Sequence, residues 1–365
     1  MKYVLLTLLL LKSLTGCLAQ ENVLFGEVPK SGNVTAVFFD REGSIYPEYF
    51  IPDSSLRGAG SSLRQWYKRH PADFRRIAMN YHCAFTTYTG ESARVLNDSI
   101  TVAARRIIDR NKGSSKNAVT FLVHGFRKRY TSINGDTPSP ADYTVLEAAI
   151  DRYTTFKTAF VTVYWDGMYG TFSKKNLKQN RDLLRSFETA RENAAAAGRS
   201  LRFLMAGLAV DTLNVVTHSL GAEVACSALF DTCGSCCTTP VNKVVHICLI
   251  APAIGGEERF KSYCVRNPQK AAEADNYRLC IVYNTNDFVL KKKYGILGPG
   301  PYKYGETTLG CSWNGTATNL QAYFKEHYPT SAIELVDLSD AVSCHHISCY
   351  AAGDNLKPMV AFMRR

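Results

Sequence analysis

Val215-Val216-Thr217-His218-Ser219-Leu220-Gly221 reads as the end of a buried strand, a serine on a sharp turn, and the opening of a helix. Such a turn lifts a serine hydroxyl above a sheet edge and needs small residues two positions to either side. Gly221 meets that need, while Thr217 replaces the usual first glycine of G-x-S-x-G, so the match is to a relaxed form. Taken alone, the string equally describes a serine that only caps a helix.

Its surroundings weigh on that choice. From residue 117 onward, apolar runs alternate with helical patterns. Strands are predicted over 119–124, 160–165, 213–217, 243–250, 279–283 and 333–337. Helices are predicted over 142–153, with Val145, Leu146, Ala149 and Ile150 on one face, and over 176–197, closed by Gly198. Another runs from the serine turn to Leu229. Nearly continuous apolar strands alternating with helices argue for an α/β fold: a mostly parallel central sheet with helices on both faces. Residues 20–115 are less legible. Residues 34–39 and 45–50 look like a strand hairpin around Asp40-Arg41-Glu42-Gly43, and 57–76 is basic and partly helical, interrupted by Pro71. No Pro/Ser/Gly linker divides 20–365, so it reads as a single domain.

Three further segments follow other predicted strands. His124-Gly125-Phe126 follows the first, and backbone N–H groups there and after the serine, at Phe126 and Leu220, can hold an oxyanion. The side chain of His124 is read as structural. Asn284-Thr285-Asn286-Asp287 follows the fifth strand; it suits an Asx turn, and its carboxylate can also orient a histidine. His345-His346 lies beyond the last strand and supplies the base that a serine nucleophile requires. Asp166, at another strand end, is a lesser candidate acid.

The order Ser219, Asp287, His is that of the α/β-hydrolase triad. On these strings, residues 117–360 resemble an α/β-hydrolase. The runs Val119 to Phe126, Tyr164-Trp165 and Thr217 to Gly221 resemble a bacterial subgroup of uncharacterised esterase-like serine hydrolases. The resemblance implies Ser219 as nucleophile, Asp287 as acid, and His345 or His346 as base. His346 is preferred because it lies nearer a helix opening towards Tyr350. It also implies the Phe126 and Leu220 amides as oxyanion hole, and cleavage of carboxylic esters through an acyl-enzyme. A peptidase, an amidase, an acyltransferase or an inactive binding protein remain alternatives.

Composition sets outer bounds. With 365 residues, 46% apolar and 21% charged, the chain can build a sizeable core and is not a disordered or collagen-like polymer. Net charge is +11, yet no long Lys/Arg block suggests nucleic acid. Lys2 followed by the aliphatic run 4–11 makes residues 1–19 an export signal too short to span a bilayer. Leu14-Thr15-Gly16-Cys17 fits a lipobox, which would anchor the chain through a lipidated Cys17; Cys17-Leu18-Ala19 fits ordinary cleavage. The mass of the mature N-terminus separates the two. The expected location is a bacterial envelope lipoprotein or a periplasmic or secreted protein.

Among twelve cysteines, Cys226, Cys248 and Cys280 fall at core positions, and Cys233, Cys236 and Cys237 form a loop cluster suited to disulfides. Cys344 and Cys349 flank the histidine pair and can join each other or Cys311. The histidine pair could also hold a metal, but no third ligand stands at a supporting spacing, so no metal is expected; nor is a cofactor, since Gly295, Gly298 and Gly300 lack a strand–helix frame. The expected partner is a small-molecule or lipid ester; oligomeric state is left open.

Overall fold

The computed structural model describes residues 34–47, 62–114, 116–126, 128, 139–154, 156–167, 177–231, 243–264, 277–291, 308–328 and 332–365. The signal segment, the 233–237 cysteine cluster and the glycine-rich stretch 294–302 lie outside these residues.

Seven strands form one sheet: β1 (Val34–Phe38), β2 (Ala118–Val123), β3 (Thr158–Tyr164), β4 (Thr212–His218), β5 (Val244–Ile250), β6 (Tyr277–Tyr283) and β7 (Ala332–Asp337). Their order is β1-β3-β2-β4-β5-β6-β7, and every pairing is parallel. The apolar runs predicted as strands are the strands observed, within a residue or two at each end. β2 and β3 are buried along their whole length, as strands covered on both faces must be.

The helices are α1 (Leu63–Arg69), α2 (Pro71–Asn80), α3 (Gly90–Lys112), α4 (Ser139–Tyr153), α5 (Leu177–Ala206), α6 (Gly221–Leu229), α7 (Glu257–Cys264), α8 (Thr316–His327), α9 (Ile347–Tyr350) and α10 (Lys357–Phe362). α3, α5 and α6 pack together, and α4 packs with α9 and α10 in a separate group. This is the two-faced arrangement expected of an α/β fold.

Strand order places the site. From β2 the chain moves to β3 on one side, then crosses back to β4 on the other. The loops leaving β2 and β4 therefore diverge at the carboxyl edge, where open α/β sheets form their ligand crevice.

Two sequence expectations are corrected. Gly198 does not close its helix, which continues to Ala206. A β-carbon on Gly198 would lie 2.4 Å from the Val224 carbonyl oxygen and 2.8 Å from Ser227 Cβ, so the glycine lets α5 and α6 approach closely. Beyond it, buried Arg202 donates to the Ala228 and Leu229 carbonyls at the end of α6. The N-terminal hairpin is likewise replaced. β1 pairs in parallel with β3, and Ile45 returns only through a single bridge to Phe39. Buried Asp40 explains this. Its carboxylate accepts from the N–H groups of Glu42, Ser44 and Leu63, so a side chain closes the turn. Pro71 does end one helix, and it opens α2 at its first turn.

A polar row crosses the middle of the sheet. Thr158 and Thr120 share a hydrogen bond of 2.8 Å, the Asn214 amide donates to Thr120 Oγ1, and His246 Nδ1 donates to Asn214 Oδ1 at 3.0 Å. Burial pulls the His246 pKa down to about 4. The unfolded chain takes up a proton near pH 6.5, so this ring's stabilisation is present above that pH. It is lost as pH falls towards 4. His246→Asn keeps a donor for Asn214 without a titrating ring. Relative to that variant, the parent is expected to lose about 3 kcal/mol between pH 7 and pH 4, measured by urea unfolding across pH.

Candidate active site

Ser219 follows β4 with φ 54°, a left-handed conformation rare outside glycine. Its N–H donates to the Ile250 carbonyl, and its own carbonyl accepts from Ala222 and Ala253. The turn is thereby fixed from β5 and from α6. The glycines on either side permit it. A β-carbon on Gly221 would lie 2.6 Å from the His124 carbonyl oxygen, and one on Gly125 would lie 2.8 Å from Ser219 Cβ. The loop after β2 therefore presses directly on the serine turn. Thr217, at the relaxed position, is fully buried.

Ser219 does not cap α6; Leu220 occupies the cap position, without a side-chain cap bond. The hydroxyl meets an imidazole instead. Ser219 Oγ lies 3.0 Å from His345 Nε2, and His345 Nδ1 lies 2.7 Å from Asp287 Oδ2. A carboxylate only accepts, so Nδ1 carries the proton and Nε2 is free to accept from the serine. Ser219 is 7% exposed, the His345 side chain 16%, and Asp287 is fully buried.

The Asp287 carboxylate is saturated. Oδ1 accepts from the N–H groups of Val289 and Leu290, and Tyr350 Oη donates to Oδ2 at 3.1 Å. Both readings of this segment hold together: Asn284 Oδ1 closes an Asx turn on the N–H of Asn286, which leaves Asp287 to face the histidine. Burial and the adjacent carboxylate push the Tyr350 hydroxyl well above its usual pKa, so it stays a donor. In the sequence Tyr350 marks only the direction of a helix, and nothing about a lone tyrosine on a short helix signals a donor to Asp287.

Of the histidine pair, the structure brings His345 to the serine and not the preferred His346. His346 is the cap residue of α9, in extended conformation and exposed. Neighbouring side chains on such backbone point to opposite sides, so proximity to the helix opening directs His346 outward. Asp166 is buried and lies 3.7 Å from Arg41, at the other side of the switch point. Cys344 and Cys349 pair with each other across the segment that carries His345. Cys311 keeps a free thiol that donates to the Thr285 carbonyl; burial raises it to about 12, which makes it a poor nucleophile. Cys226, Cys248 and Cys280 are buried and outside any disulfide, as expected of core positions.

The loop after β2 is braced by His124. Its Nδ1 donates to the Gly125 carbonyl, its Nε2 accepts from the Trp165 N–H, and its ring stacks on Trp165 with centroids 5.4 Å apart. Burial holds His124 at about 4, so the ring is neutral and structural. The loop it braces carries Phe126, half-buried against Phe187. Leu220 is fully buried at the start of α6. No group of His, Cys, Asp and Glu suited to a metal occurs among the described residues.

A buried carboxylate, a tautomer-fixed imidazole and a serine on a strained turn form a proton relay that can raise the nucleophilicity of the hydroxyl. No protein family and no curated protein matches the chain. Among solved structures, TT1662 from Thermus thermophilus is similar at 13% identity with a TM-score of 0.34, covering 69% of this chain and 89% of that one.

Proposed function

We propose that this chain is a serine hydrolase that cleaves carboxylic esters through an acyl-enzyme on Ser219. The observation that carries the reading is the continuous hydrogen-bond chain from Ser219 Oγ through His345 to Asp287. In this scheme His345 Nε2 takes the serine proton as Oγ attacks the ester carbonyl carbon. The carbonyl π pair moves onto oxygen, and the Phe126 and Leu220 amides stabilise that oxyanion. Collapse expels the alkoxide, which receives the proton from His345. Water, deprotonated by the same imidazole, then attacks the acyl-enzyme, releasing the acid and restoring Ser219. The Asp287 carboxylate orients His345 and stabilises the imidazolium.

The Cys344–Cys349 pair suits a protein of an oxidising compartment, and export is part of the proposal. No helix among the described residues is long and apolar enough to cross a membrane.

A fluorophosphonate probe tests the reading. Stoichiometric labelling, with the adduct mapped by peptide mass spectrometry to Ser219 and blocked by a hydrolysable short-chain ester, is the expected result. Absence of an adduct on that residue overturns it.

A further inference from the structure

One polar ring beside the relay takes no part in it. His218, the last residue of β4, is 5% exposed, and its Nε2 lies 2.8 Å from the His345 carbonyl oxygen. The two rings sit with centroids 5.0 Å apart, tilted by 40°. A carbonyl only accepts, so Nε2 carries the proton and Nδ1 is a bare acceptor. That Nδ1 is buried with no hydrogen-bond partner. An unpartnered buried polar atom costs stability, and an aliphatic residue here would avoid that cost. What an aliphatic residue would lose is the bond to His345.

Burial is the main force that holds the His218 ring neutral. The imidazole of His345, Lys128 in the loop after β2, and His346 act in the same direction, against the bond to the His345 carbonyl. Neutrality matters beside a group that becomes cationic during acyl transfer, because a second positive ring would oppose it.

The geometry also explains why a donor is useful at this position. His345 lies in a bend before α9, outside any strand ladder or helix. Its side chain is fixed at both nitrogens, but its main chain depends on local contacts. His218 adjoins Ser219 in the chain, so its ring closes a small circuit. The circuit runs from Ser219 through the His218 ring to the His345 carbonyl, along the His345 side chain, and back to Ser219 Oγ. Nucleophile and base are thus referenced to one another and do not rely on two separate loops.

We propose that His218 is a positioning residue, whose Nε2–H bond to the His345 carbonyl keeps the imidazole within reach of Ser219 Oγ. The proposal rests on the reading of Ser219 as nucleophile.

Its test compares His218→Leu, which lacks a donor, with His218→Gln, whose side-chain N–H reaches a similar distance. His218→Leu is expected to slow fluorophosphonate labelling and kcat by about 10- to 100-fold, with KM unchanged within about twofold, as misplacing a reacting group does. His218→Gln is expected to recover to within about threefold of the parent, which a purely space-filling role does not predict. In proton NMR, the strongly deshielded Nδ1 proton of the His345–Asp287 bond should persist in the parent and the Gln variant and broaden in the Leu variant. Labelling by His218→Leu at the parental rate, or a Gln variant no better than Leu, overturns the proposal. Should Leu fail to fold by circular dichroism, His218→Met serves as the donor-free variant. A parent that carries no adduct on Ser219 refutes the hydrolase reading instead, and the NMR comparison then decides the positioning role alone.

Discussion

Ser219→Ala is expected to lower kcat/KM for any ester the protein turns over by about 10⁴- to 10⁶-fold, and to abolish probe labelling. The size of the loss follows from what is removed. With Oγ gone, His345 Nε2 has no proton to take and no covalent intermediate can form. Only the oxyanion donors and ester binding remain, and those give a small residual rate. The fold should be indifferent, because the contacts that fix the turn are made by the Ser219 backbone: its N–H to Ile250 and its carbonyl to Ala222 and Ala253. Alanine retains the β-carbon, so the φ of 54° is as unfavourable as before. Ser219→Gly removes that strain. It is expected to be as inactive as the alanine variant, yet more stable than the parent by about 1 kcal/mol in urea unfolding. A glycine variant less stable than the parent would show that the turn stores no strain.

His345→Ala against His346→Ala is the second large contrast. The first is expected to lose about 10⁴-fold or more in kcat/KM, since it deletes the base that takes the proton from Ser219 and passes it to the leaving group. The second should stay within a few-fold of the parent. His346 is exposed and interacts electrostatically with Asp142 at the start of α4, which pairs with Lys128. The measurement is initial rates on one ester for both variants, with circular dichroism to confirm folding. Equal losses in the two variants would mean that the segment bounded by Cys344 and Cys349 presents its histidines differently from the arrangement seen here.

Much of the fold was open to a reader of the residues. Nearly continuous apolar runs such as 119–124 and 244–250 read as strands buried on both faces, and the strands they form lie on either side of β4 in the sheet. The exceptions are instructive. Gly198 looked like a helix end because glycine commonly follows one; its actual role, letting α6 approach α5, depends on residues some thirty positions away. The hairpin at residue 40 looked right because two β-like runs flank a turn. The pairing went instead to β3, more than a hundred residues on, and an aspartate carboxylate took over the closing of the turn. Propensity describes a segment's own preference and not its partner.

The site divides in the same way. Residue types, their order, and their position after separate strands single out Ser219, Asp287 and a histidine as candidates, because these types suit a nucleophile, an orienter and a base, and parallel strands bring their carboxyl ends to one edge. Which of two adjacent histidines faces the serine is a matter of which side of an extended backbone each occupies, and that is set by packing against α9 and β4. The donors that steady the relay, Tyr350 on Asp287 and His218 on the His345 carbonyl, span 63 and 127 positions. Single residues at such separations leave no periodicity to read, so only the folded chain could reveal them.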